Sequence, residues 1–177
     1  MKPNLPIKPV RFCTHLQGKT PGKLPAKILR DVVGGGKLEL CAANAWEALV
    51  HAATKDGVVI KATSTGDLYR TYASQLQGFL NRYSLKQTNN GTRTFEGSIY
   101  YLKDGFAPLA TPGKSMHNMG LAVDVANANG KTLAWLAVNA PLYGFSWEVL
   151  PQEPWHIRYT QANLTPPAVS AYLAEAK

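Results

Sequence analysis

The stretch Ser115-Met116-His117-Asn118-Met119-Gly120-Leu121-Ala122-Val123-Asp124-Val125-Ala126 decides how this chain of 177 residues is read. From Gly120 onward it alternates with period two. Leu121, Val123 and Val125 turn one way and Ala122, Asp124 and Ala126 the other, the pattern of a half-buried strand. Asp124 is the charged side chain on a face of alanines, so space is left above its carboxylate. Residues 155–159 divide in the same manner: Trp155, Ile157 and Tyr159 are expected to cover the core, and His156 and Arg158 to face a cleft. Glu153-Pro154 leads into this second strand. Proline keeps the preceding residue extended and fixes its own φ, so Glu153 is held on a stiff lead.

Working outward, Trp46, Leu49, Val50 and Ala53 fall at helical spacing before a stop at Asp56-Gly57. Tyr72, Leu76, Phe79, Leu80 and Tyr83 form the apolar face of a second helix. Residues 58–63 and 98–102 read as strands, 86–94 as a polar loop and 104–114 as irregular. Residues 131–140 read as a buried helix, 145–149 and 155–159 as paired strands, and 166–176 as a terminal helix. Helices and strands intermingle, with several strands close in sequence near the C-terminus. The expected class is α+β, a single domain with a mainly antiparallel central sheet and flanking helices.

Composition agrees with a folded chain, at 45% hydrophobic and 10% aromatic residues. No apolar run is long enough to span a bilayer, so a soluble protein without a membrane partner is expected. The N-terminus is proline-rich and lacks the apolar core of an export signal, so synthesis in the cytoplasm is expected. Residues 1–37 hold eight Lys and Arg against the single acid Asp31, a balance of +7 out of the chain's +8. This basic arm is set apart from a domain spanning residues 38–177 and is expected to pack on the core or precede it. It would attract polyanions by long-range, salt-screened forces, anionic bacterial wall polymers among them. Nucleic acid is not an expected partner, because the aromatics sit at core spacings away from the charge. Cys13 and Cys41 are too few for a disulfide framework and read as two free thiols, with a single bridge as the alternative.

Two imidazoles and a carboxylate, His117, His156 and Asp124, suit Zn²⁺ with a fourth position left for water. An unligated Glu153 nearby would take that water's proton and later pass it to a leaving amine. The competing reading makes the histidines hydrogen-bonded structural residues and the aspartate an edge charge. Glu148 is a rival base, but it lies outside the proline-stiffened string. His15 and His51 read as structural, and Gly113-Lys114-Ser115 fails as a phosphate loop because Pro108 stands where the first glycine is needed.

These strings carry a family resemblance. Residues 115–124 resemble the S-x-H-x-x-G-x-A-x-D motif, and Glu153-Pro154-Trp155-His156 the E-x-W-H motif, of the M15 zinc peptidases, which include D-alanyl-D-alanine carboxypeptidases and phage L-alanyl-D-glutamate endopeptidases. The likeness covers roughly residues 43–160 and implies a hedgehog/D-Ala-D-Ala peptidase-like fold with zinc in a cleft. It implies His117, Asp124 and His156 as metal ligands and Glu153 as catalytic base. Tyr69-Arg70-Thr71-Tyr72-Ala73-Ser74-Gln75 is similar to the family's Y-R-S/T-x-x-x-Q element, which implies that Arg70 stabilises the oxyanion or holds a substrate carboxylate, with Gln75 and Ser115 contacting substrate. Residues 64–68 stand where the family has a shorter turn. The implied function is hydrolysis of an amide bond in peptidoglycan stem peptides at the bacterial wall; the small size, the cationic arm and the lack of an export signal lead us to expect a monomeric phage-type endolysin or its catalytic domain. The alternatives are a D-alanyl-D-alanine carboxypeptidase of wall remodelling and a non-catalytic zinc-containing wall-binding module.

Overall fold

In the computed structural model, residues 3–176 are described; Met1, Lys2 and Lys177, including the first lysine of the basic arm, lie outside them. The longest helix, α1 (Leu40–Lys55), begins where Glu39 turns its carboxylate back onto the backbone N–H groups of Cys41 and Ala42, satisfying two of the donors that a helix start leaves open. Ala42, Ala45, Trp46, Leu49 and Ala53 are wholly buried, so α1 runs through the core as its apolar spacing predicts. Asp56 caps it and Gly57, at φ 65°, turns the chain away.

The class is α+β, as expected, and its strands form three small antiparallel sheets among the described residues. β1 (Leu29–Asp31) pairs with β2 (Lys37–Glu39) as a hairpin leading into α1. β3 (Tyr83–Ser84), β4 (Thr92–Phe95) and β5 (Ser98–Leu102) form a second sheet in the order β3-β5-β4. It packs beside α2 (Tyr72–Arg82) through a satellite core of Phe79, Tyr83 and Leu102. The third sheet carries the site: β6 (Ala122–Asp124) and β7 (Phe145–Trp147) flank β8 (His156–Tyr159), both antiparallel to it. Register places Asp124 opposite His156 and Trp147 opposite Ile157. Helices α3 (Gly130–Asn139) and α4 (Pro167–Glu175) complete the molecule, α4 packing on α1. No helix among the described residues is long and apolar enough to cross a membrane.

The N-terminal segment is built into this structure. Cys13, Leu16, Leu24, Ile28 and Val32 are buried in the main core, and the position between residues 37 and 38 falls inside β2. Pro6 accepts a hydrogen bond from the Trp147 amide, and Ile7 forms a parallel bridge to Trp147 at the edge of β7. The arm's charges are therefore mounted on a folded stretch.

Several local expectations change. Residues 58–63 alternate as a strand would, Val58 and Ile60 being buried and Val59 exposed. They pair only through the single bridge Ala62–Val125, so the segment is extended without being a ladder. Part of the expected polar loop is β4, joined to β5 by Glu96-Gly97, both at positive φ. That backbone matches a two-residue hairpin turn, whose commonest asparagine or aspartate signal the sequence lacks. On α2 it is Gln75, not Leu80, that is buried; Leu80 is exposed.

Gly120 closes the 3-10 turn Met116–Met119 in the left-handed region at φ 65°. A Cβ there would lie 2.8 Å from the Glu39 backbone nitrogen, which donates to the Gly120 carbonyl. Gly120→Ala is expected to cost roughly 1–3 kcal/mol, combining left-handed strain with that clash. Denaturant unfolding would read this as a lower midpoint at unchanged m-value.

Candidate metal and catalytic site

His117 is presented by the short turn Met116–Met119, whose start is capped by Ser115: its hydroxyl accepts from the His117 amide at 3.3 Å. The imidazole is then fixed from behind, since His117 Nδ1 lies 2.9 Å from the Leu68 carbonyl. A carbonyl can only accept, so Nδ1 carries the hydrogen and Nε2 keeps its lone pair. That lone pair faces Asp124 Oδ2 at 3.3 Å.

His156 repeats the logic from β8. Its Nε2 stands 3.0 Å from Glu148 Oε2, and Arg158 holds the other Glu148 oxygen at 2.8 Å. With the proton on Nε2, Nδ1 is the atom left facing Asp124 Oδ1 at 2.7 Å. The two rings lie edge to face with centroids 5.0 Å apart. The three donor atoms fall within 4.8 Å of one another, the two imidazoles almost wholly enclosed and the Asp124 side chain partly exposed. Once the proton between His156 and Asp124 is given up, three converging lone-pair donors make a cradle for a cation. Two nitrogens and one oxygen, each histidine backed by an acceptor, suit zinc.

The charges respond accordingly. Burial pushes the Asp124 carboxyl up, but hydrogen bonds from His117 and His156 outweigh it and hold the group well below the usual carboxylate range. Burial alone would lower the His156 pKa; hydrogen bonds to Asp124 and Glu148 overcome this and raise it to about 9. A metal arriving at Nδ1 therefore displaces a proton. Glu148 is held low, chiefly by its hydrogen bond with His156 and also by Arg158.

Glu153 differs. It is half-buried at the start of a turn in which its carbonyl accepts from the His156 amide, and the wholly buried Trp147 donates its indole N–H to the Pro154 carbonyl at 2.8 Å. Burial, reinforced by the negative charges of Asp124 and Glu148, raises its carboxyl pKa. Two carboxylates near one centre are thus driven apart, Glu148 kept ionised and Glu153 made more basic, the separation expected of an orienting group and a proton carrier.

Arg70 is held by the residues that lengthen the turn before it. Nε donates to the Gly66 carbonyl, Nη2 to Asp67 Oδ1 and Nη1 to Gln75 Oε1, at 2.9 to 3.0 Å. Its backbone is tied to the histidine turn, the amide donating to the His117 carbonyl and its own carbonyl accepting from the buried Asn118 side chain. Of five guanidinium N–H groups, three are occupied by described residues. Residues 64–68 thus grip both Arg70, through Gly66 and Asp67, and His117, through Leu68.

Two residues expected to contact substrate are engaged within the chain. Gln75 is wholly buried, its amide spent between Arg70 and the Ala110 carbonyl, so it positions the arginine. The Ser115 hydroxyl caps the turn that bears His117. Trp155, expected in the core, is 42% exposed. With Thr63, Asp67, Asp124 and Pro154 it lines a groove of about 540 Å³ that runs past the aspartate.

Glu148 was foreseen only as a rival base and Asp67 and Asn118 not at all. Glu148→Ala is expected to weaken metal binding by about 10–100-fold, as loss of a ligand's carboxylate partner does elsewhere. Competition with a chromophoric chelator would measure it.

Residues 36–162 match the family described as VanY, D-alanyl-D-alanine carboxypeptidase. The chain belongs to that family of M15 peptidases. The candidate carboxypeptidase YodJ of Bacillus subtilis (strain 168) is 33% identical over a 138-residue alignment that takes in 67% of this chain and 44% of the relative. The chain thus spans less than half the length of that protein. Among solved structures, the LD-carboxypeptidase LdcB superposes with a TM-score of 0.59 at 24% identity, covering 88% of this chain and 77% of LdcB. A vancomycin-resistance D,D-pentapeptidase, VanY, solved with Zn(II), superposes at 0.55 and 22% identity, covering 85% of this chain and 88% of its own. These likenesses place the fold, antiparallel sheets with helices around them, among the VanY and LdcB peptidases.

Proposed function

We propose that this chain is a zinc-dependent carboxypeptidase-type hydrolase of peptidoglycan stem peptides. The observation that carries the reading is the convergence of His117 Nε2, Asp124 and His156 Nδ1, each histidine turned by an acceptor behind it, with the half-buried Glu153 bonded through its carbonyl to the His156 amide. When bound, zinc would acidify a water molecule and polarise the scissile carbonyl. The protein's own groups do the rest. Glu153, as carboxylate, accepts the proton of the attacking water and then delivers it to the leaving nitrogen. The Arg70 guanidinium binds negative charge, either on the developing oxyanion or on the terminal carboxylate of the peptide. Glu148 keeps the proton on His156 Nε2, and the exposed face of Trp155 offers a wall on which a stem peptide can lie.

The VanY family match and the structures solved with D-Ala-D-Ala, as VanYB was, favour removal of a C-terminal D-alanine. A second reading keeps the chemistry and sets it in wall lysis, as in a phage endolysin that cuts within the stem. What favours it is the balance of +7 on residues 1–37, which would hold the enzyme on anionic wall polymers. Mass spectrometry of muropeptides after digestion separates the two. Release of one terminal alanine supports the carboxypeptidase, and a new amino terminus inside the stem supports the lysin. No cleavage of either kind by metal-loaded protein overturns both.

A further inference from the structure

A second group of donors lies outside this site. Cys13 and His15, from the N-terminal segment, meet Glu39 and Cys41, from the start of α1, and their four ligand atoms also fall within 4.8 Å of one another. The pattern is Cys-x-His facing Glu-x-Cys. Cys13 and Glu39 are wholly buried, Cys41 is partly so, and the His15 side chain is 29% exposed. We propose that these four residues form a structural zinc site, separate from the catalytic centre.

The chemistry of the donors makes the case. Glu39 is a carboxylate with no exposed surface. It accepts two backbone N–H groups of α1 and stands against the His15 imidazole nitrogen and, at 3.6 Å, the Cys13 sulfur. Burying a full negative charge is costly unless a positive partner offsets it. A second sulfur, that of Cys41, stands within the same 4.8 Å cluster. A divalent ion held by the four donors would supply positive charge to this buried set. With two thiolates and a carboxylate the site would carry about −1, placed at the N-terminal end of α1 where the helix dipole favours it. Two thiolates and an imidazole select zinc over calcium or magnesium. Four protein ligands close the tetrahedron, so this ion would hold structure and not activate water.

What it would hold is specific. Cys13 and His15 belong to the segment laid over the β7 edge, and Glu39 is the residue whose amide bonds the Gly120 carbonyl behind the His117 turn. One ion would clamp the N-terminal segment to α1 and brace the back of the catalytic turn.

The test uses the full chain, purified under reductant, stripped of metal and titrated with Co²⁺ and then Zn²⁺. The His–Asp–His centre contains no sulfur, so thiolate-to-cobalt charge-transfer absorption in the near ultraviolet reports on the second site alone, whether or not the enzyme is active. Expected are two equivalents bound by the native chain, one of them with the thiolate band. His117→Ala should keep the band and bind one equivalent; Cys13→Ser should lose the band and keep one. Absence of the band in the native chain overturns the proposal without requiring any variant to fold. So does a Cys13–Cys41 disulfide in the unreduced protein whose reduction yields no band, or a band that survives in Cys13→Ser together with Cys41→Ser.

Discussion

Replacing His117 with alanine is expected to empty the His–Asp–His centre and reduce hydrolysis by on the order of 10³-fold or more, because a bound metal supplies several kcal/mol of charge stabilisation. Only Asp124 and His156 would remain, below the three protein ligands that catalytic zinc sites keep. The residual pair would also collapse into an ordinary ion pair, since His156 in the metal-free chain has its pKa raised to about 9 by Asp124 and Glu148. Excess zinc should therefore restore little activity. Metal analysis beside a muropeptide digestion checks both halves, and a variant that digests at the native rate would remove the metal from the account. The unchanged core around α1 should keep the variant folded, which circular dichroism can confirm.

Glu153→Gln is expected to separate binding from chemistry. The ligands and their backing groups, Leu68 and Glu148, are untouched, so the metal should stay. Proton transfer is lost, and with it about 10²–10⁴ in rate. The pH profile supplies the sharper check. A base acts only when ionised, so activity should fall as pH drops through the Glu153 pKa. Burial together with Asp124 and Glu148 raises that pKa, which puts the acid limb above the range of an ordinary glutamate. The limb should be missing from whatever rate the glutamine variant retains. A variant with full activity and an unaltered profile would point to Glu148, the other carboxylate at the centre.

How far the site could be read from sequence depended on whether a contact is local or crosses strands. His117, Asp124, Glu153 and His156 are carried by two short strings whose alternation also announces β6 and β8. Glu148 is invisible as a partner of His156 until β7 and β8 are paired, because only their register, Trp147 opposite Ile157, brings its carboxylate across. Gln75 is a related case: the likeness to the Y-R-S/T-x-x-x-Q element implied a substrate contact, and only the folded chain shows its amide between Arg70 and the Ala110 carbonyl. Trp155 misled in the opposite sense. Strict alternation sends it to the core, but the Glu153–His156 turn begins β8 only at His156, leaving the indole beside the groove. The net charge of residues 1–37 was plain from composition, whereas their burial of Cys13, Leu16 and Ile28 was not, since a proline-rich stretch shows no periodicity to betray a packed face.

The strand Phe145–Trp147 ends the third sheet on one side, and the chain's own beginning lies along it, through the Pro6 carbonyl and the Ile7 bridge. A bare outermost strand is a template on which like molecules stack. Loss of the contacts made by Pro6 and Ile7 would thus do more than remove nearby cationic charge: it would bare this strand's edge, and self-association is expected to rise.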